Sequence, residues 1–363
     1  MKTYPIPMVP GPVKVPAQVL KAYETNYGSP DLEPEFLELY NKTESQLKTI
    51  LGTKNQVVIQ TGEGMLALWT ALRSCLNPGD RVLSAATGVF GYGIGKMAES
   101  IGAEVKIIGF EYNETLNNLE SVEKAIQEFK PKMITAVHCE TPSGTLNPLD
   151  RLGKLKKQYK VPLLYADVVA SAGGTPVLTD EWNIDLALGG SQKCLSVPCC
   201  MSFLSVSDTA WDIINHVNYS GYDALKPFQY AQKNAFFPYT PYWHGMAALN
   251  KGAELLLNEG LENSYKRHKQ AADLCCKRIN ETGLTLFPAP SAVSSPTVTA
   301  VNIPEKTTWK QLDQAFRKKG LVAAGSYGPL DGKIFRLGHM GTQADKELVA
   351  KAMDVVEEVI KNI

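Results

Sequence analysis

The sequence predicts an α/β protein: a mostly parallel, seven-stranded sheet sandwiched by helices, followed by a smaller C-terminal α+β domain. Three observations predict it. Short apolar runs alternate with amphipathic stretches from about residue 57 to 207. The runs are continuously apolar, as strands covered on both faces are. After about residue 242 the texture changes to long helical stretches with few, short strands. The expected domains are 1–258, an N-terminal segment with the large domain, and 259–363, the small domain.

Each element follows in order. VVIQT (57–61) reads as a strand and GMLALWTALRSC (64–75) as the helix after it. RVLSAA (81–86) is a strand, followed by a helix through Ile94, Met97 and Ala98. VKIIGF (105–110) pairs with a helix at SVEKAIQEF (121–129), and MITAVH (133–138) with one through Leu152, Leu155 and Tyr159. PLLYAD (162–167), DLALGGS (185–191) and MSFLSVS (201–207) complete the strands. Residues 215–241, rich in Tyr, Phe, Asn and Pro, read as an irregular excursion. Helical stretches at 242–260 and 261–282 come next, then strands TVTAVNI (297–303) and IFRLG (334–338), with two further helices.

Composition excludes several classes. Lys+Arg and Asp+Glu number 37 each, so no net charge invites nucleic acid or an acidic membrane. The opening MKTYPIPMVPGP lacks the apolar core of a signal peptide, and no apolar run reaches membrane-spanning length. The seven cysteines include two adjacent pairs and show no C-x-x-C spacing. They read as thiols in a reducing cytoplasm, with no metal site.

Ligands of such sheets sit at the carboxyl ends of the strands. Lys193, in GGSQKC, follows one. A buried amine there is costly unless neutral or covalently engaged, as in a Schiff base. An isolated Lys reads equally as a surface residue on a turn, but Gly189, Gly190 and Ser191 permit close approach of a ring. Asp167 ends PLLYAD and suits a protonated pyridine nitrogen, or a helix N-cap. Phe90, in ATGVFGYG, suits stacking on a ring or plain packing. Arg336, in IFRLG, suits a bidentate grip on a carboxylate or a surface ion pair.

Their order is more specific than any one of them. HCETPSG (138–144), ADVVASAGG (166–174), GSQK (190–193) and FRLGHMG (335–341) resemble the class V aminotransferases. These are fold-type-I pyridoxal phosphate enzymes, and the resemblance lies in the alanine–glyoxylate and serine–pyruvate branch. The resemblance implies a homodimer or dimer of dimers, with a pyridoxal ring held as a Schiff base on Lys193. It implies that Asp167 pairs with the ring nitrogen, that Val169 and Phe90 cover its two faces, and that Thr141 hydrogen-bonds nearby. Arg336 then holds the substrate carboxylate.

The phosphate cradle departs from that pattern. The turn reads Thr61-Gly62-Glu63-Gly64-Met65, with Glu63 where the family places a phosphate-binding Ser. A carboxylate would repel a phosphate dianion. At 237–240, where the family's partner-subunit grip has a Tyr before the Thr, this chain has Phe237 and Thr240. Both departures are similar to pyridoxamine–pyruvate transaminases, which take free pyridoxamine as a substrate. That likeness implies that Glu63 receives the ring's hydroxymethyl arm. Tyr327 stands where those enzymes carry a second Arg, which leaves the choice between pyruvate and another 2-keto acid open.

The function expected is amino transfer from pyridoxamine to pyruvate, giving pyridoxal and L-alanine. The alternative is a conventional enzyme using pyridoxal 5′-phosphate, supported by Gln192 and Thr240. Glu63 then points to solvent as an acid of the helix N-terminus. A catalytically silent scaffold is the third reading, opposed by the intact Asp167, Lys193 and Arg336. Desulfurase chemistry needs a mobile loop Cys, whereas Cys275 and Cys276 fall on a helix.

Overall fold

The computed structural model describes residues 3–362. Seven strands form the large sheet: β1 (Gln56–Thr61), β2 (Arg81–Ala86), β3 (Glu104–Gly109), β4 (Met133–Val137), β5 (Leu163–Asp167), β6 (Leu186–Gly190) and β7 (Met201–Val206). Their spatial order is β1-β7-β6-β5-β4-β2-β3. Strands β4 to β7 are buried at every residue, which is why their sequences are apolar without alternation. Only β7 runs antiparallel to its neighbours. Residues 191–200, which join it to β6, contain no helix and are too short for a parallel crossover.

Helices cover the sheet: α1 (Pro34–Leu51), α2 (Gly64–Cys75), α3 (Val89–Ser100), α4 (Glu120–Phe129), α5 (Leu149–Gln158), α6 (Asp208–Val217) and α7 (Trp243–Glu259). Helix α1 starts with Pro34 and stops at the left-handed Gly52, the usual asymmetry of helix ends. No helix among the described residues is long and apolar enough to cross a membrane.

A second core lies beyond α7. Helices α8 (Leu261–Glu281), α9 (Trp309–Lys318) and α10 (Lys346–Lys361) accompany an antiparallel sheet. Its strands are β8 (Val298–Asn302), β9 (Ala324–Gly325) and β10 (Ile334–Gly338), with β10 in the centre. Ile279, Phe316, Phe335 and Met353 are completely buried between the layers. Thr308 and Gln311 start α9 with a reciprocal capping box.

The chain's first strand crosses to the small domain. Residues Ile6–Pro7 pair in parallel with Leu321–Val322, and Met8 is completely buried in the second core. Residues Ile6–Met8 therefore pack with the small domain, whereas Val19 and Ala22, further along the same segment, are buried in the large core. The pairing is two residues long and proline-rich, so no periodicity announces it.

Candidate active site

The carboxyl ends of β1, β5 and β6 surround a cavity of about 170 Å³. It is lined by Glu63, Met65, Phe90, Thr141, Asp167, Val169, Gln192 and Lys193, together with Leu68, Cys139 and Ala170. Residues separated by up to 130 positions meet because each follows a strand end or opens the next helix. A wider hollow of about 610 Å³ lies at the amino ends of β2 and β5. Its acid, Asp80, is already paired with Lys132 at 2.7 Å, and it contains none of the strand-end candidates.

Asp167 is the last residue of β5 and is 6% exposed. Burial pushes its carboxyl up to about 6, although the Val169 N–H donates to it at 2.9 Å and Lys193 lies nearby. Lys193 donates from Nζ to the Pro10 carbonyl at 2.6 Å. Burial, then the charge of Arg336, lowers its ammonium pKa. A Cβ on Gly11 would stand 2.6 Å from Lys193 Cδ, so only glycine lets the N-terminal segment lie against the lysine.

Glu63 is the N-cap of α2, and its Oε2 accepts the Met65 N–H at 2.8 Å. Its Oε1 accepts a short hydrogen bond from Gln192 Nε2. The carboxylate is therefore fixed at the cavity rather than left free in solvent, and it occupies donors an anion would need. Gln192 Oε1 is buried without a hydrogen-bond partner among the described residues. Gly64 supplies backbone only, and a Cβ there would meet Val169 at 3.1 Å.

Arg336 and Tyr327 lie outside the cavity lining. Arg336, in β10, is 5% exposed and reaches the site through the Thr141 carbonyl, to which Nη1 donates at 3.3 Å. Its Nε donates to the Gly325 carbonyl at 2.8 Å, and its guanidinium lies 5.1 Å from the Tyr327 ring centre. Its partners among the described residues include no carboxylate. Tyr327 also meets Phe90 edge-on at 6.1 Å, so the aromatic beside the cavity and the buried cation share one neighbour.

Phe237 and Thr240 are not brought to this cavity. Phe237 is packed in the large core against Tyr40 at 4.9 Å and Phe36 at 5.6 Å. Thr240 is exposed on the surface. The Phe237 ring thus faces an aromatic core of the same chain.

Sequence reasoning missed Glu140, Cys139 and the Pro10 carbonyl. The alternation within the short strand and turn at 139–141 sends Cys139 and Thr141 to the cavity and Glu140 behind it. Glu140 is completely buried, and its two oxygens accept the Phe90 and Gly91 N–H groups at 3.2 and 2.7 Å. A buried acid between two cavity residues was the available signal.

The family model for Aminotransferase class-V matches residues 10–328. The chain belongs to the class-V aminotransferases. This aminotransferase is 32% identical to the (S)-ureidoglycine–glyoxylate transaminase of Bacillus subtilis, over 97% of the chain and 90% of that protein. A crystal structure of the Bacillus subtilis ureidoglycine–glyoxylate aminotransferase matches it with a TM-score of 0.95, covering 100% of this chain and 94% of the other. The pyridoxamine–pyruvate transaminase of Mesorhizobium japonicum is 31% identical, over 93% of this chain and 87% of that protein. The structure of the Mesorhizobium loti enzyme of that kind has a TM-score of 0.94 at 29% identity, covering 99% and 93%. The alanine–glyoxylate aminotransferase of Oryctolagus cuniculus is 32% identical, over 97% of this chain and 92% of that protein.

Class-V aminotransferases use pyridoxal phosphate, and the residues fit a pyridoxal ring. A buried acid awaits a cation at one end, an amine stands within the lining, and an aromatic and a branched side chain provide faces. At the first turn of α2 the cavity lining carries a carboxylate, Glu63, fixed by two hydrogen bonds.

Proposed function

We propose that this aminotransferase takes free pyridoxamine as a substrate and passes its amino group to a small monocarboxylic 2-keto acid such as pyruvate, giving pyridoxal and L-alanine. The observation that carries this reading is Glu63, pinned by Met65 and Gln192 at the first turn of α2. A phosphate dianion there would face a carboxylate in a partly desolvated site. A neutral hydroxymethyl group would instead donate to Glu63, and the unpartnered Gln192 Oε1 is a second acceptor beside it.

Lys193 would hold the ring and Asp167 would face its nitrogen, keeping it protonated. The ring supplies an electron sink at the bond being changed. Once free, Lys193 Nζ moves a proton between the two carbons flanking the migrating nitrogen; its lowered pKa keeps the amine available as a base. Val169 and Phe90 would orient the ring, and Arg336 would receive the single substrate carboxylate. Tyr327 adds no charge, which favours keto acids without a second carboxylate. A homodimer or dimer of dimers, in which Thr240 of one copy approaches the site of another, belongs to the same reading.

A second reading is favoured by the equal likeness to alanine–glyoxylate aminotransferase: a conventional enzyme that keeps pyridoxal 5′-phosphate. Absorbance spectra of the purified protein separate the two. Added pyridoxal is expected to give a visible band that Lys193→Ala abolishes, and pyridoxal 5′-phosphate a much weaker one. Protein that purifies yellow with tightly held phosphate form would overturn the first reading in favour of the second.

A further inference from the structure

Helix α3 begins without a side-chain cap of its own. Its N-cap is Gly88, and no side chain of the segment satisfies the first-turn N–H groups. Two of those donors, the Phe90 and Gly91 N–H groups, are satisfied from outside by Glu140, at 3.2 and 2.7 Å. Gly88 makes room for this: a Cβ there would stand 2.6 Å from Glu140 Cδ. Gly91 is equally confined, with a Cβ position 2.9 Å from Ala86 Cα and 3.3 Å from Glu140 Oε1.

For stability alone this is a poor device. A Ser or Asp at the N-cap would satisfy a donor while remaining near solvent. Glu140 instead takes a carboxyl group to complete burial with no lysine or arginine paired to it among the hydrogen bonds it makes. Burial raises its pKa to about 8 against the pull of the two N–H donors. The arrangement does fix the backbone of Phe90, whose side chain lines the cavity. It also ties that backbone to Cys139 and Thr141, the residues on either side of Glu140, which line the same cavity.

We propose that Glu140 is the positioning residue for Phe90, holding its ring at the angle needed to stack on the bound pyridoxal ring. The proposal rests on the reading that Phe90 faces that ring. It concerns how the face is set and applies with or without a phosphate.

The test is Glu140→Gln, with Phe90→Leu and the double variant alongside. Gln keeps one acceptor for Gly91 but places an NH₂ group where the Phe90 N–H needs an oxygen. Three quantities are read: the melting temperature, the Kd for pyridoxal from its absorbance band, and the circular dichroism of that band. Expected for Glu140→Gln are an unchanged or higher melting temperature, a Kd raised about tenfold and a changed dichroic band. In the Phe90→Leu background the same substitution is expected to change Kd less than twofold. Equal Kd and dichroism for Glu140→Gln and wild type would overturn the positioning role. So would a Kd rise that persists undiminished without Phe90, or one matched by a loss of melting temperature, since each assigns Glu140 to general stability. If Phe90→Leu alone leaves Kd and dichroism unchanged, the stacking reading beneath the proposal fails instead, and the proposal with it.

Discussion

At the scale of single residues, the proposed function assigns substrate choice to two side chains. A carboxylate on the first turn of a helix is favourable when it faces water or a hydroxyl and unfavourable when it faces a phosphate. Glu63 is held at the cavity lining by two hydrogen bonds, in place for the hydroxyl of the proposed substrate. Glu63→Ser is therefore expected to shift the ratio of affinities for pyridoxal 5′-phosphate over pyridoxal at least tenfold towards the phosphate, about 1.4 kcal/mol. Parallel absorbance titrations with both ligands check this; an unchanged ratio would show that Glu63 is not the selector. Arg336 is legible as a carboxylate binder only through the motif around it. What the sequence leaves out is its depth: 5% exposed, braced by two carbonyls and covered by Tyr327. Because the planar fork is what those carbonyls hold, Arg336→Lys is expected to raise KM for the keto acid about tenfold or more. The Kd for pyridoxal should stay within about twofold. A variant that loses both equally would assign Arg336 to the fold rather than to the substrate.

At the scale of elements, the strands of the large sheet are readable because burial on both faces removes polar residues from the sequence. The direction of β7 is not readable from its own residues. It follows from the missing crossover between Gly190 and Met201. The N-terminal strand escapes for the opposite reason, being too short to carry a pattern. Also illegible is the loop after β10, which locks the small domain to the lysine-bearing turn. Thr342 donates its N–H to Ser196 Oγ of that turn at 2.9 Å, while the preceding Gly341 donates to His268 Nε2 of α8 at 2.9 Å. The φ of Gly341 is +57°, and a Cβ would stand 2.1 Å from Ser196 Oγ and 3.0 Å from the Lys193 carbonyl. Gly341→Ala is expected to cost about 1–3 kcal/mol through overpacking, read as a melting temperature lower by several degrees. It should also weaken pyridoxal binding, because relief of the clash pushes on the residues flanking Lys193. A fully stable variant with normal binding would mean the turn yields freely.

At the scale of the whole molecule, acid sensitivity is distributed over both cores. Of five histidines, three are buried and neutral. Burial lowers His138 and His339 to about 4 and His268 to about 3. Their hydrogen bonds suit the neutral ring: His268 accepts from Gly341, and His339 Nε2 lies 2.7 Å from the Thr299 hydroxyl. A histidine whose folded pKa is depressed contributes stability that is present above its unfolded value, near 6.5, and lost as pH falls towards the folded one. Asp167 acts in the opposite sense. Its folded pKa, raised to about 6, gives a contribution that is full below the unfolded value near 4 and lost as pH rises through 6. Between pH 6 and 5 the native chain therefore holds a proton on Asp167 that the unfolded chain lacks, while the unfolded chain holds protons on histidines that the native chain refuses. The two effects partly cancel, and Asp167→Asn removes one side of the cancellation. Stability of the ring-free variant is expected to fall more steeply than wild type between pH 6 and 5, by up to about 1.4 kcal/mol per pH unit, the value of one proton. Denaturant midpoints of both proteins across that interval test it. Parallel curves would mean that Asp167 stays ionised in the empty fold, and that its charge is balanced by Lys193 rather than held ready for a protonated ring nitrogen.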